Sequence, residues 1–325
     1  MGNAAPVVHS DALEHAKMTT ALITHADCLR HDTSEGHPEQ VARLEHVLHA
    51  LETLDLKRVA APMAAEDDML RIHPVDHLRA LRSARPIEGY AQIDGDTFLS
   101  PGSLDAAFRA AGAAVRAVDL VLTGEVQNAF AAIRPPGHHA ETETAMGFCL
   151  FGNAALAAKH ALDHHGLKRV AVVDFDVHHG NGTQDLLWDE PRALFVTSQQ
   201  MPLWPGSGRV DEDGAYGQIL NMPLAPDSAG PEMRAAYEGR AFPRLRAFKP
   251  ELIIISAGFD AHRDDPLASL NWSTADFAWL TAELCALAEE LCQGRIVSTL
   301  EGGYDLNALA QATRAHVEEL IKAAT

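Results

Sequence analysis

Cysteine is scarce in this chain: Cys28, Cys149, Cys285 and Cys292 are the only four among 325 residues. No two have the C-x-x-C spacing of a zinc ribbon or dithiol redox site. Cys285 and Cys292 share a helical pattern that separates them by ~10 Å along the axis, too far for a bridge. A reduced, cytoplasmic protein is expected. Basic residues are also few, 26 Lys and Arg against 45 Asp and Glu, for a net charge of −19. The clustered positive charge that nucleic acid requires is missing, and an acidic body attracts cationic ligands instead. No apolar run approaches the ~18 residues of a membrane helix, so no membrane partner is expected. The opening MGNAAPVVHSDALEHAK has neither a basic region nor an apolar core, so no signal peptide is expected. Residues 1–15 read as a flexible tail. No repeat, low-complexity stretch or Ser/Gly/Pro linker divides the rest, so 16–325 is expected to form one domain.

What is present is a substantial apolar fraction, 47%, arranged in alternating patterns. Strands are expected around Thr20–His25, Asn128–Pro136, Arg169–Asp176, Ala193–Gln199, Glu251–Asp260 and Arg295–Gly303. Helical spacing covers Gln40–Thr53, Ser103–Leu122, Asn153–His164, Pro231–Phe248, Thr274–Cys292 and Leu306–Lys322. Continuous Val and Ile runs indicate strands buried on both faces. The alternation implies an α/β fold with a mostly parallel central sheet and helices on both faces.

Such sheets place ligands beyond the carboxyl ends of their strands. Four of the expected strands run into reactive side chains there: His138 and His139, then Asp174, Asp176 and His178, then Asp260 and His262, then Tyr304. In Asp-Phe-Asp-Val-His, alternation puts Asp174, Asp176 and His178 on one side. Carboxylates and an imidazole crowded together oppose one another unless a cation joins them. Asp260 supplies a further ligand, and two carboxylates with one imidazole leave a catalytic zinc ion an open position. His138 and His139 follow a stiff Pro-Pro turn and suit proton transfer near neutral pH. Asp174 and Asn181 are the candidate partners that set their tautomers, one charged and one neutral, which drives the two pKa values apart. Tyr304, after two glycines, could donate to a developing oxyanion. His160, His164, His165 and His179 are expected to be ordinary surface residues.

Taken together, RPPGHHAE, MGFCLFGNAA, VDFDVHHGNGT, SAGFDAHRDDP and LEGGY resemble the histone deacetylase family, in that family's order. The resemblance runs from TSEGHPE to Tyr304. Asn181 is similar to the class II and bacterial amidohydrolase branch. The resemblance implies an arginase/deacetylase-like single-domain fold and zinc-dependent hydrolysis of an N-acyl amide. It implies one Zn2+ held by Asp176, His178 and Asp260, a proton-transferring pair His138 and His139 backed by Asp174 and Asn181, and Tyr304 on the acyl carbonyl. Gly147, Phe148, Trp204 and Leu267 would line the substrate channel. A potassium ion near Asp174, Asp176, His178 and Thr197 is implied as well. Two departures stand out: Thr197-Ser198-Gln199 replaces the family's Ser-Leu-His, which bears on the rim and the potassium site, and Leu150 replaces a Tyr, which bears on the pocket floor.

Two rival readings are a two-manganese ureohydrolase, in which His262 adds a second D-x-H, and an acyl-lysine reader with a dead site. Acetyl-lysine in proteins, acetylated polyamines and other acyl amides all remain open as substrates, with charge favouring a cationic one. An oligomer is compatible with the sequence.

Overall fold

The structure, a computed structural model, describes residues 19–325. The expected tail, 1–15, lies outside the described residues. In chain order the strands are β1 (Thr20–Thr24), β2 (Lys57–Ala60), β3 (Ala91–Gln92), β4 (Phe98–Leu99), β5 (Asn128–Ala131), β6 (Val170–Asp174), β7 (Ala193–Gln200), β8 (Ile219–Leu224), β9 (Ile253–Ala257) and β10 (Ile296–Leu300). The helices are α1 (Val41–Ala50), α2 (Glu66–Met69), α3 (Val75–Ala84), α4 (Ser103–Leu122), α5 (Asn153–Asp163), α6 (Asn181–Leu186), α7 (Gly230–Ala236), α8 (Phe242–Phe248), α9 (Thr274–Cys292) and α10 (Leu306–Ala323).

Eight strands form one sheet in the order β2-β1-β5-β10-β9-β6-β7-β8, and every pairing in it is parallel. The Val/Ile runs of β6, β9 and β10 are wholly buried, as continuous apolar strands covered on two faces must be. Helices α1, α9 and α10 pack together around the sheet, and so do α4 and α5. The four strands that lead into reactive side chains, β5, β10, β9 and β6, are adjacent at its centre.

Each of these strands is shorter than the sequence pattern suggests. In the segments after β6 and β10, several backbone N–H groups bond to carboxylates rather than to a neighbouring strand. Asp176 N donates to Asp174 (3.0 Å), His178 N to Asp176 (2.9 Å), Val177 N to Asp260 (2.8 Å) and Gly302 N to Asp176 (2.8 Å). The site begins where the ladder stops.

The patterns miss β2 and β8, both edge strands. β2 is largely exposed and half basic, and β8 contains Pro223, which only an edge tolerates. The helix expected over 231–248 is α7 and α8 joined by a wider π-type turn, Tyr237–Ala241. Pro243 has no N–H to return to the preceding turn, and the wider turn absorbs the defect. The four cysteines are free and buried. No helix among the described residues is long and apolar enough to cross a membrane.

Candidate active site

At the carboxyl edge the loops after β6 and β9 bring Asp176, His178 and Asp260 together. One ligand atom from each lies within 4.8 Å of the others. His178 Nδ1 stands 3.2 Å from Asp176 Oδ1 and 3.1 Å from Asp260 Oδ2. Both carboxylates are fully buried. Burial, followed by the nearby Asp176 charge, pushes Asp260 up to about 7. Burial works against a charged His178, but the two carboxylates outweigh it and push the imidazole up to about 10. Two buried carboxylates facing one imidazole are an arrangement that a cation would stabilise. A side chain at Gly302 would close it, because a Cβ there would lie 2.2 Å from Asp260 Oδ2 and 2.5 Å from Asp176 Oδ2. Two carboxylates and one imidazole around a space kept clear by glycine fit a zinc-type ion.

The histidine pair is held alongside, with ring centres 3.8 Å apart. His138 Nδ1 donates to Asp174 Oδ2 at 3.0 Å, and its Nε2 lies 3.7 Å from Asp176 Oδ2. Burial opposes its charge, yet the Asp176 and Asp174 carboxylates prevail and push it up to about 10. His139 is the opposite case. Burial, then the neighbouring His138 and His178, hold it well below the usual imidazole range. Its tautomer follows from Asn181, whose Nδ2 donates to Glu141 at 2.7 Å. Asn181 Oδ1 therefore accepts, at 2.7 Å, from His139 Nδ1. His139 Nε2 is left with its lone pair. The two rings thus differ in charge, His138 favouring the protonated form and His139 the neutral one.

His139 and His178 open into a cavity of about 260 Å3, which Tyr304, Gly147, Phe148, Trp204 and Leu267 also line. Phe148 meets the Tyr304 ring edge-on at 5.8 Å, and Trp204 meets His139 in the same way at 4.7 Å. Gly147 has φ +55°, and a Cβ on it would come within 2.6 Å of both the His139 and Trp204 rings. Glycine at 147 therefore leaves room between the His139 and Trp204 rings that a side chain would fill. Burial, together with nearby carboxylates, keeps the Tyr304 hydroxyl protonated, well above its ordinary range, against the pull of Arg43.

The sequence reading misses Pro38, Asp96 and Leu203, which also line the cavity. Asp96 sits in the tight turn of the β3–β4 hairpin, and Thr97 from the same turn accepts from Phe148 N at 3.0 Å. The Asp-Gly-Asp stretch at 94–96 is the signal for such a turn. A layer of positioning groups beneath the site is missed too. Glu301 accepts from Gly137 N (2.7 Å) and His138 N (3.1 Å), which fixes the histidine loop. Glu39 binds Arg134 and Arg43, and Arg43 donates to Gly303 O at 2.6 Å. Their letters occur within the quoted motifs or in α1, but buried charge on an apolar helix face leaves no periodic mark.

Other expectations need correction. Leu150 does not reach the cavity: it is buried in a second apolar cluster with Met69 and Leu78. Ser198 and Gln199 are buried, not at a rim, and Gln199 Nε2 instead donates to Gly208 O at 2.6 Å. Thr197 is buried beside Asp174 in the β6–β7 ladder. His262 points away from the carboxylate cluster, with Nδ1 accepting from Asp264 N and Nε2 beside Thr274, so it supplies no second metal. His160 and His179 are buried rather than on the surface.

A family model described as the histone deacetylase domain matches residues 37–320. The chain belongs to the histone deacetylase family. Membership in this family assigns it to deacetylation, the hydrolysis of an amide. It is similar to a probable deacetylase of Archaeoglobus fulgidus, 38% identical over 89% of this chain and 82% of that one. It is also similar to a histone deacetylase-like amidohydrolase of Pseudomonas aeruginosa, 38% identical over 88% of this chain and 77% of that one. A polyamine deacetylase of Homo sapiens is 35% identical over 94% of this chain and 48% of its own length. Among solved structures, the HDA15 HD domain superposes with a TM-score of 0.89 at 32% identity, covering 94% of this chain and 89% of that one. The histone deacetylase fold is thus the fold of this chain.

Proposed function

We propose that this histone deacetylase family member is a zinc-dependent amidohydrolase that removes an acetyl or other acyl group from an amine carried on a linear chain. The convergence of Asp176, His178 and Asp260, with His178, His139 and Tyr304 lining one cavity, carries this reading. Asp176, His178 and Asp260 would hold the ion. When bound, zinc supplies a Lewis acid that activates water and polarises an acyl carbonyl.

The chain's own groups do the rest. His139 Nε2, unprotonated and facing the cavity, takes the proton from the attacking water as a new C–O bond forms. His138, kept charged by Asp174 and Asp176, adds positive field beside the negative charge that develops. Tyr304, a donor at any ordinary pH, hydrogen-bonds the oxygen of the tetrahedral species. When the C–N bond breaks, His139 returns its proton to the departing amine, leaving a carboxylic acid and the free amine. Phe148 and Trp204 hold the aliphatic stem between their rings. Asp96 offers a carboxylate to an amino group further along the substrate. That charge and the net −19 support a cationic substrate. A potassium ion at Asp174 and Thr197 belongs to the same proposal.

N-Acetylputrescine, an acetyl-lysine peptide and a longer acyl-lysine peptide should be compared on zinc-loaded protein and on Asp176→Asn. At least one acyl amine should turn over, with loss of both zinc and turnover in the variant. Full turnover by metal-free protein would refute the reading.

A further inference from the structure

A second cluster of metal-binding side chains lies away from the candidate active site. Asp119 on α4 gathers His160 of α5 with His164 and His165, which follow it; one donor atom from each of the four lies within 4.8 Å of the others. Helices α4 and α5 both end where the chain turns back into the starts of β5 and β6. The cluster therefore sits at the amino edge of the sheet, opposite the edge that carries Asp176 and His178. The gathering has a local cause. Both His164 N and His165 N donate to His160 O, at 2.9 and 3.3 Å. The helix closes on itself there, and Gly166 then turns the chain with φ +72°. Three imidazoles are thereby folded onto one helix end.

The hydrogen bonding of the cluster is incomplete in one telling place. His160 Nε2 and His165 Nε2 both point at Asp119 Oδ1, each at 2.8 Å. A neutral His160 ring has one N–H. If Nε2 holds it, to donate to Asp119, then Nδ1 presents a lone pair. His160 is 4% exposed, and its Nδ1 is buried with no hydrogen-bond partner. Asp68 Oδ1 lies 3.8 Å from it, beyond hydrogen-bond reach, and the same oxygen is 3.5 Å from Arg71 Nε. A lone pair aimed at a carboxylate in a dry place is costly. A cation at Nε2 removes the conflict. The ring proton moves to Nδ1, toward the Asp68 carboxylate 3.8 Å away, and Nε2 becomes a ligand. A carboxylate behind a ligating imidazole is the usual arrangement around bound metal.

We propose that Asp119, His160, His164 and His165 form a metal site for a divalent ion of the zinc type, separate from the one at Asp176, His178 and Asp260. Three imidazoles and one carboxylate make a four-donor set with no place left for water or substrate, which marks a structural site rather than a catalytic one. His164 is exposed and stacked on His160 at 4.7 Å. A turn about its side-chain bonds brings it into the ligand set. The ion then ties the ends of α4 and α5 together.

The test is a count of retained zinc. Wild type and a His164→Ala/His165→Ala variant are loaded with Zn2+, passed through a desalting column without free metal, and analysed by atomic emission. The variant should retain one ion fewer per chain, with acyl-amine turnover unchanged. The difference is read, not the total, so an empty catalytic site would lower both counts alike. Co2+ loading gives a second readout: the wild type should show tetrahedral visible absorption that the variant loses in part. His160, being buried, is left intact so that folding is spared, and His164→Gln alone serves should the double variant unfold. Equal retained metal in wild type and variant, with superimposable Co2+ spectra, would overturn the proposal.

Discussion

The guanidinium of Arg43 lies 4.9 Å from the centre of the Tyr304 ring. The same group binds Glu39 at 2.8 Å and donates to Gly303 O at 2.6 Å. Arg43 thus holds both the face of the phenol and the backbone that carries it. Replacing it with Met removes the hold without touching the substrate. We expect Arg43→Met to lower kcat by about ten- to a hundredfold, the scale of a small misplacement of a reacting group, with KM little changed. Stability should fall too, because Glu39 loses one of its buried partners. Steady-state kinetics with urea unfolding separates the two effects, and Arg43→Lys should recover part of the rate.

Tyr304→Phe removes a single oxyanion donor. The expected loss is about 10²–10³ in kcat, while retained zinc equals that of wild type, since Tyr304 is not among the three clustered donors. Unchanged turnover would remove Tyr304 from the mechanism.

Gly147→Ala should close the cavity. The added methyl meets the His139 and Trp204 rings at 2.6 Å, and the backbone there has φ +55°. Strain of this kind costs roughly 1–3 kcal/mol. Activity on bulky acyl amines should vanish before activity on acetyl substrates does. A KM series over acyl length measures this.

His316 predicts the acid response of the fold. It is wholly buried between Thr281 and Ser298, and burial alone pushes it down from 6.5 to about 3. Between those values the unfolded chain binds a proton that the folded chain refuses. Stability therefore rises with pH across that window and is lost as pH falls through it, by at most about 1.4 kcal/mol per unit. A His316→Asn variant should show a shallower dependence of unfolding free energy on pH between 3 and 6.5 and the same slope as wild type above it.

The sequence made the sheet legible because its central strands are continuous apolar runs, as in Val170–Val173 and Ile253–Ile255. It made the carboxylate and histidine clusters legible because their letters follow those runs directly. Edge strands were hidden: Lys57–Ala60 is mostly exposed and carries two basic residues. The supporting layer was hidden for another reason. Arg43, Glu39 and Glu301 meet only after distant segments fold, with Arg43 and Gly303 separated by 260 positions. Asp96 shows an intermediate case, since the turn was readable but not that the turn faces the cavity. His160, set aside as a surface residue, is buried because α4 packs over it.

β10, the last strand in chain order among the described residues, takes its place between β5 and β9. Until it does, β2-β1-β5 and β9-β6-β7-β8 are two unjoined half-sheets, and His138 and Asp260 have no common wall between them. A chain halted during synthesis before residue 296 would carry every zinc-binding side chain proposed here and still lack the wedge that brings the halves together. Such long-range closure is slow relative to local folding. Competence for chemistry should therefore wait on the filling of that central gap.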